Sequence, residues 1–291
     1  MSKITIDSKV CTRCGTCVRT CSENVFSQPE KGALPELVRE ALCISCGHCV
    51  ALCPQGAITH ADFPEGSVTP VRGELLPSVE SVIEMLRARR SIRLFKEAPV
   101  ERGVLERIIE GARSAPSAHN FQTTEYLVIQ DAKLLKEITN ICARYYAKVA
   151  KQLRNPITRA LYRVALTRQE IESAVHLLSD LDMVVDLAGK GEDPFLHHAP
   201  CLILCHAERN MNFPEANATL ALHNATLVAQ ALGVGGFLAG YVVGACQRDK
   251  GIPALLSVPR NHGVYAGLTL GYPQTQFTKW PARRPLKVRW L

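Results

Sequence analysis

The chain has 291 residues, 47% of them hydrophobic and 21% charged, with a formal net charge of +7. This length and balance fit one large globular domain plus a small one, and exclude a fibrous or disordered chain. Residues 1–62 carry six basic and six acidic side chains, so the whole positive surplus lies beyond them.

A basic surface suits nucleic acid, an anionic cofactor or an acidic protein partner. With aromatics at 6% and no nucleic-acid-binding motif in the chain, no nucleic-acid partner is expected. No apolar run follows "MSKITID", and the longest apolar stretch, "GVGGFLAGYVVGAC" (233–246), is too short and glycine-rich to span a bilayer. A cytoplasmic protein with no membrane partner is expected. The twelve cysteines then point to metal rather than disulfides.

The first element is "KITID" (3–7), a short edge strand. "CTRCGTCVRTC" (11–21) follows, and the pattern recurs as "CISCGHCVALC" (43–53), ending at Pro54. "ELVRE" (36–40) and "AITH" (57–60) are further short strands. The spacing C-x2-C-x2-C-x3-C is that of two-cluster bacterial ferredoxins. Three cysteines of a tight loop ligate one cubane, and the fourth points to the other. One [4Fe-4S] cluster is therefore assigned to Cys11, Cys14, Cys17 and Cys53, and the second to Cys43, Cys46, Cys49 and Cys21. Gly15 and Gly47 sit where the loop must pass close to the inorganic core. Structural zinc is the competing reading, but four ligands complete a zinc site and leave the third cysteine of each run idle. Ser22 follows Cys21, where the second copy has proline. Residues 1–62 thus resemble a duplicated β-α-β ferredoxin module, which carries single electrons and has no substrate chemistry of its own.

Residues 63–77, interrupted by Pro64, Gly66, Pro70, Gly73 and Pro77, read as a linker. A second domain is expected over 78–291. Ser78 is a helix N-cap, and apolar residues at 79, 82, 83 and 86 give "PSVESVIEMLRARRS" (77–91) a face to bury. "VERGVLERIIEGARSA" (100–115) is a second amphipathic helix, "EYLVIQ" (125–130) a buried strand, and 131–153 is helical. "APCLILCHA" (199–207) is an apolar strand, 215–232 an alanine-rich helix and "YAGLTLGYP" (265–273) a last core strand. Without strict β-α-β alternation, the predicted class is α+β.

Four motifs in this domain carry a resemblance: "RRSIRLF" (89–95), "SAPSAHNFQ" (114–122), "ALGVGGFLAGY" (231–241) and "LGYPQTQ…RRPL" (270–286). Together they resemble the FMN-dependent nitroreductase family over residues 78–291, in the family's order and spacing. The resemblance implies a central, mainly antiparallel sheet with flanking helices, and a homodimer with FMN at the subunit interface. The small-residue helix 215–232 would suit close packing there.

The resemblance also implies that Arg89, Arg90, Ser91 and Arg93 hold the FMN phosphate and ribityl chain. Guanidiniums at a helix end suit a phosphate dianion, although the same run also reads as a solvated basic terminus. Arg284 matches a late phosphate-binding arginine, with Arg283 beside it as the alternative. Pro116, Ser117, Asn120 and Gln122 would meet the ring, the two amides pairing with its pyrimidine edge. Thr123-Thr124 stands where many members have Pro-Trp. Gly235 and Gly236 would lie opposite flavin N5, where the lack of a Cβ lets the backbone approach. A dinucleotide fingerprint is rejected, because Asp249 follows Gly236 by only 13 residues and the preceding element is a helix.

Cys142, Cys201, Cys205 and Cys246 read as core thiols. His197-His198 reads as a loop rather than a metal site, and His119 adjoins the flavin loop. Chemistry is expected at FMN N5, with no catalytic side chain. The expected activity is reduction of a small electron-poor molecule (a nitroaromatic, quinone, enone or halogenated aromatic), with reduced ferredoxin or NAD(P)H as donor. An electron-transfer adaptor between ferredoxin and a larger redox complex is the alternative. Residues 144–190 would form a lid that sets substrate choice.

Overall fold

The computed structural model describes residues 2–158 and 178–291. The chain divides into two compact units: Met1–Pro77 with His119–Phe121, and Ser78–Ala118 with Gln122–Leu291.

In the first unit the duplication read from the cysteines is present in the backbone. Strand β1 (Ile4–Ile6), helix α1 (Thr16–Thr20) and strand β2 (Phe26–Ser27) are followed by β3 (Glu36–Leu37), α2 (His48–Ala51) and β4 (Ile58–His60). Each element of the second set starts 32 residues after its counterpart. Left-handed residues recur at the same interval: Arg13 and Ser45, Gly15 and Gly47, Asn24 and Gly56. The two halves exchange partners, because β1 pairs antiparallel with β4 and β2 with β3. Neither half therefore closes a sheet alone. The core between them is Ile4, Val25, Phe26 and Ile58, with Cys17, Cys21, Cys43, Cys49 and Cys53 packed against it. So small a core leaves much of the folding energy to whatever the cysteines bind.

The second unit contains α3 (Val79–Ala88), α4 (Arg102–Arg113), β5 (Glu125–Ile129), α5 (Ala132–Arg154) and α6 (Leu178–Gly189). It continues with β6 (Cys201–Glu208), α7 (Pro214–Ala231), α8 (Gly240–Arg248), α9 (Gly251–Leu255) and β7 (His262–Leu270). The helix starts follow local chemistry. Ser78 accepts from the Ser81 N–H at 3.2 Å, Asp131 from the Leu134 N–H at 2.8 Å, and Pro214 opens α7.

The three strands form an antiparallel sheet in the order β5-β6-β7. Strand alternation sends Leu202 and Leu204 into a core with α5, α6 and α8, while Cys201, Ile203 and Cys205 enter a second core with α4 and α7. This is a helix–sheet–helix sandwich of the α+β class. The outer edge of β7 is covered by residues 235–239, whose backbone exchanges hydrogen bonds with Gly267, Thr269 and Gly271. Among the described residues no helix is long and apolar enough to cross a membrane.

Several expectations change here. No residue of α3 is buried, and Val79, Ile83 and Leu86 are 73%, 40% and 39% exposed. Its apolar face therefore has no cover within the described chain. Strand β5 is half exposed rather than buried, because it lies at the sheet edge. The small face of α7 (Ala218, Ala221, Ala225 and Ala229) is consumed inside the chain against α4 and the sheet. Of the 144–190 stretch, 144–154 is the end of α5 and 178–189 is α6, while 159–177 lies outside the described residues.

Candidate functional site

The cysteine loops are shaped by backbone geometry first. Gly15 and Gly47 are left-handed and immediately precede α1 and α2, a conformation in which a Cβ is strained. A Cβ at Gly47 would also press on the Phe63 ring at 3.1 Å. Backbone N–H groups point at the sulfurs in matched pairs. Arg13 donates to Cys11 Sγ at 3.4 Å and Ser45 to Cys43 Sγ at 3.4 Å. Val25 donates to Cys21 Sγ at 3.3 Å and Ala57 to Cys53 Sγ at 3.2 Å. Such donors stabilise thiolate sulfur and tune the potential of an iron–sulfur cluster.

Cys21, Cys43, Cys46 and Cys49 line one cavity, the set in which the fourth cysteine comes from the other half. Burial pushes the Cys49 thiol up to about 11 and also raises Cys17, whereas the Thr16 hydroxyl beside exposed Cys14 brings that thiol down to about 7. Buried thiols of this kind ionise when a metal takes the proton's place.

His60 is a member of this site that the sequence reading did not find. It is buried, its Nδ1 accepts from the Asp62 N–H at 3.1 Å, and its Nε2 lies 3.4 Å from Cys43 Sγ. With Nδ1 taken by the Asp62 N–H, Nε2 is the ring nitrogen that faces the sulfur. The two residues lie 17 positions apart within the second repeat, a separation that no cysteine spacing motif includes. Asn120 was expected at a flavin edge; its Nδ2 instead donates to the carbonyls of Ser45 at 2.8 Å and Ile44 at 3.3 Å.

In the second unit a cavity of about 520 Å³ is lined by Arg89, Arg90, Gly235 and Gly236. That volume lies in the range of small-molecule sites. Lys96, Gln230 and Gln274 also line it. Gln230 lies on helix α7, and Gln274 lies in a stretch that lines the cavity beside a backbone bond from its N–H to the Leu94 carbonyl at 3.0 Å. The Arg90 guanidinium sits 5.8 Å from the Phe277 ring centre, within cation–π range.

The glycines have a packing reason beside the one expected. A Cβ at Gly236 would fall 1.7 Å from the Thr269 carbonyl oxygen, and one at Gly235 would fall 2.4 Å from Ile92 Cγ1. The chain's own packing already forbids a side chain at both. Ile92 in turn donates its N–H to the Gly236 carbonyl at 3.0 Å, so the "RRSIR" and "GVGGF" stretches meet across one ladder.

The remaining expected residues do not line this cavity. Ser91 is exposed beside that ladder, and the Arg93 guanidinium lies 5.3 Å from the Phe237 ring centre. Arg283 and Arg284 are exposed in the irregular segment after β7. Pro116, Ser117 and Gln122 belong to a loop in which Ser117 Oγ accepts from the Gln122 N–H at 2.9 Å. Beside them, Thr123 Oγ1 is buried without a hydrogen-bond partner, which leaves an acceptor and donor for a polar ligand. The buried cysteines Cys142, Cys201, Cys205 and Cys246 are core members, and burial pushes Cys201, Cys205 and Cys246 up to about 12.

Comparison with known proteins agrees with both halves. Residues 10–58 match a 4Fe-4S dicluster domain, and residues 86–272 match the nitroreductase family. The chain is similar to an FMN reductase [NAD(P)H] of Bacillus subtilis, 28% identical over 203 residues that cover 70% of each chain. It is also 23% identical to an iodotyrosine deiodinase of Thermotoga neapolitana over 73% of this chain and 98% of that one. Its fold is like that of a nitroreductase of Bacteroides fragilis solved with bound FMN: TM-score 0.54 and 20% identity, over 72% of this chain and 98% of that one. With well over half of its length matched by one family, and with the sheet, flanking helices and basic cavity described above, the chain belongs to the nitroreductase family.

Proposed function

We propose that this chain is an FMN-dependent oxidoreductase that takes electrons through two [4Fe-4S] clusters and reduces a small electron-poor molecule. One observation carries the reading: a family member joins a cavity bearing Arg89, Arg90 and Lys96 to cysteine loops in which Cys21 crosses to Cys43, Cys46 and Cys49. FMN, when bound, exchanges single electrons with such carriers and a hydride with substrate. The residues of the second unit bind and orient it. Arg89 and Arg90 grip the phosphate by charge-assisted hydrogen bonds, and Lys96 adds a point charge. From the loop outside this cavity, the unpartnered Thr123 hydroxyl and the Gln122 side chain supply polar contacts to the part of the flavin that extends beyond it. The exposed apolar face of α3 supports a homodimer, in which a second copy covers Val79, Ile83 and Leu86 and completes the flavin site. The likeness to an FMN reductase [NAD(P)H] supports NAD(P)H as one donor. The net charge of +7 supports an acidic ferredoxin as another, and salt should weaken that encounter.

Two measurements test this. In Arg89→Ala and Arg90→Ala, FMN affinity should fall about tenfold or more, since a charged hydrogen bond is worth about 1.5–3 kcal/mol. Equilibrium dialysis giving wild-type affinity in both variants removes the phosphate assignment. A Cys46→Ser variant should keep FMN and turn over normally with a direct flavin reductant, yet lose turnover with reduced ferredoxin. Equal turnover with every donor takes the clusters out of the electron route.

A further inference from the structure

Outside both of these sites, the second unit brings three metal-ligating side chains to one end of its sheet. Glu125 pairs directly with His206 across β5 and β6, and His262 starts the neighbouring strand β7. The β6–β7 register shifts here, with Cys205 opposite Ala266 and His206 opposite Val264, so the extra residue is Tyr265 on β7 and the alternation of β6 runs unbroken to His206. Alternation then decides the face. Leu127, Leu204 and Val264, each two residues from one of the three, belong to the core under α5 and α8, so Glu125, His206 and His262 share that face at its rim.

The geometry is closer than packing alone requires. His206 and His262 are 4% and 8% exposed, and their Nδ1 atoms are 2.9 Å apart. The Glu125 carboxylate, itself 59% exposed, lies 3.9 Å from His206 Nε2 and 3.9 Å from His262 Nδ1. One ligand atom from each residue falls within 4.8 Å of the others, the only such group of three among the described residues.

We propose that Glu125, His206 and His262 bind a divalent transition metal of the zinc class. Ligand atoms about 2.0–2.1 Å from a tetrahedral ion lie about 3.3 Å apart; the His206 Nδ1–His262 Nδ1 separation of 2.9 Å and the His262 Nδ1–Glu125 separation of 3.9 Å bracket that spacing, and all three groups offer atoms within 4.8 Å of one another. The carboxylate is too far from either ring to be hydrogen-bonded, yet it sits where one ion reaches all three groups. Two imidazoles and a carboxylate are a borderline donor set that suits zinc, nickel or copper over magnesium or calcium. Burial lowers the affinity of His206 for a proton, and neighbouring His262 lowers it further, against the opposing pull of Glu125. Three protein ligands leave a coordination position open, and the exposed carboxylate puts that position toward water. Without a metal, the same atoms form a hydrogen-bonded imidazole pair beside an idle carboxylate.

The test uses purified holoprotein with its full iron content, equilibrated with micromolar zinc chloride and dialysed against metal-free buffer. Zinc and iron are then counted per chain by mass spectrometry. We expect about one retained zinc with no loss of iron, and a rise in melting temperature on adding zinc. Both should be lost, or zinc affinity weakened at least tenfold, in Glu125→Gln and in His262→Gln. Because Glu125 is exposed, Glu125→Gln leaves the fold intact and keeps the test decisive even if the histidine variant unfolds. Zinc uptake equal to wild type in Glu125→Gln, zinc gained only as iron is lost, or no retained zinc would each overturn the proposal.

Discussion

In a Cys53→Ser variant, iron should fall from about eight to about four per chain, with acid-labile sulfide falling in parallel. The lost cluster should be the one held by Cys11, Cys14 and Cys17, although residue 53 lies in the other repeat. The structural basis is the mirror case, in which Cys21 lines a cavity with Cys43, Cys46 and Cys49, together with a backbone that repeats its left-handed residues every 32 positions. Double variants assign the loss. Cys14→Ser added to Cys53→Ser should remove no further iron, because both residues act on one cluster and their effects do not add. Cys46→Ser added to Cys53→Ser should leave almost none. If instead Cys46→Ser adds nothing and Cys14→Ser strips the rest, the cysteines do not cross between repeats. Stoichiometric zinc with little sulfide in the unmodified protein would remove the clusters altogether.

Gly236→Ala should destabilise the second unit more than any other single-methyl addition to the cavity wall. The new Cβ would fall 1.7 Å from the Thr269 carbonyl oxygen, and a backbone atom cannot rotate away as a side chain can. The segment is pinned on both sides. Gly236 accepts from the Ile92 N–H at 3.0 Å, and Phe237 exchanges hydrogen bonds with Thr269. Relief must therefore break one of these ladders. Overpacking costs of this kind are about 1–3 kcal/mol or more, which in a unit of this size lowers the melting temperature by about 2–12 °C. The same movement should loosen Arg89 and Arg90 and reduce FMN retention. A melting temperature within a degree of wild type, read on the flavin-unit transition by calorimetry, would show that the ladder yields at no cost.

The sequence by itself determined the cysteine chemistry and the longer elements with clear periodicity or caps, but not β2, α6, α8 or α9. Residue spacing in the cysteine runs already says which sulfurs share a loop, because the ligands of a tight loop are local. Ser78 and Asp131 announce their helices for the same reason: a cap bonds to a backbone N–H three residues away. The two core faces of β6 follow from an alternation of period two. Wherever the outcome depends on distant segments, only the tertiary structure decided. His60 reaches Cys43 from the end of β4, 17 residues on, through the folded path of the second repeat, and nothing in the cysteine spacing marks that histidine. The close approach of Ile92 and Thr269 to Gly235 and Gly236 is a packing constraint that no pattern around residue 235 encodes. Helix α3 has an amphipathic sequence, but amphipathicity only states that a face prefers burial and does not supply the surface that buries it. The Glu125, His206 and His262 group has no spacing motif, since its members lie on three strands separated by dozens of residues. Sheet order and register alone set them within reach of one ion.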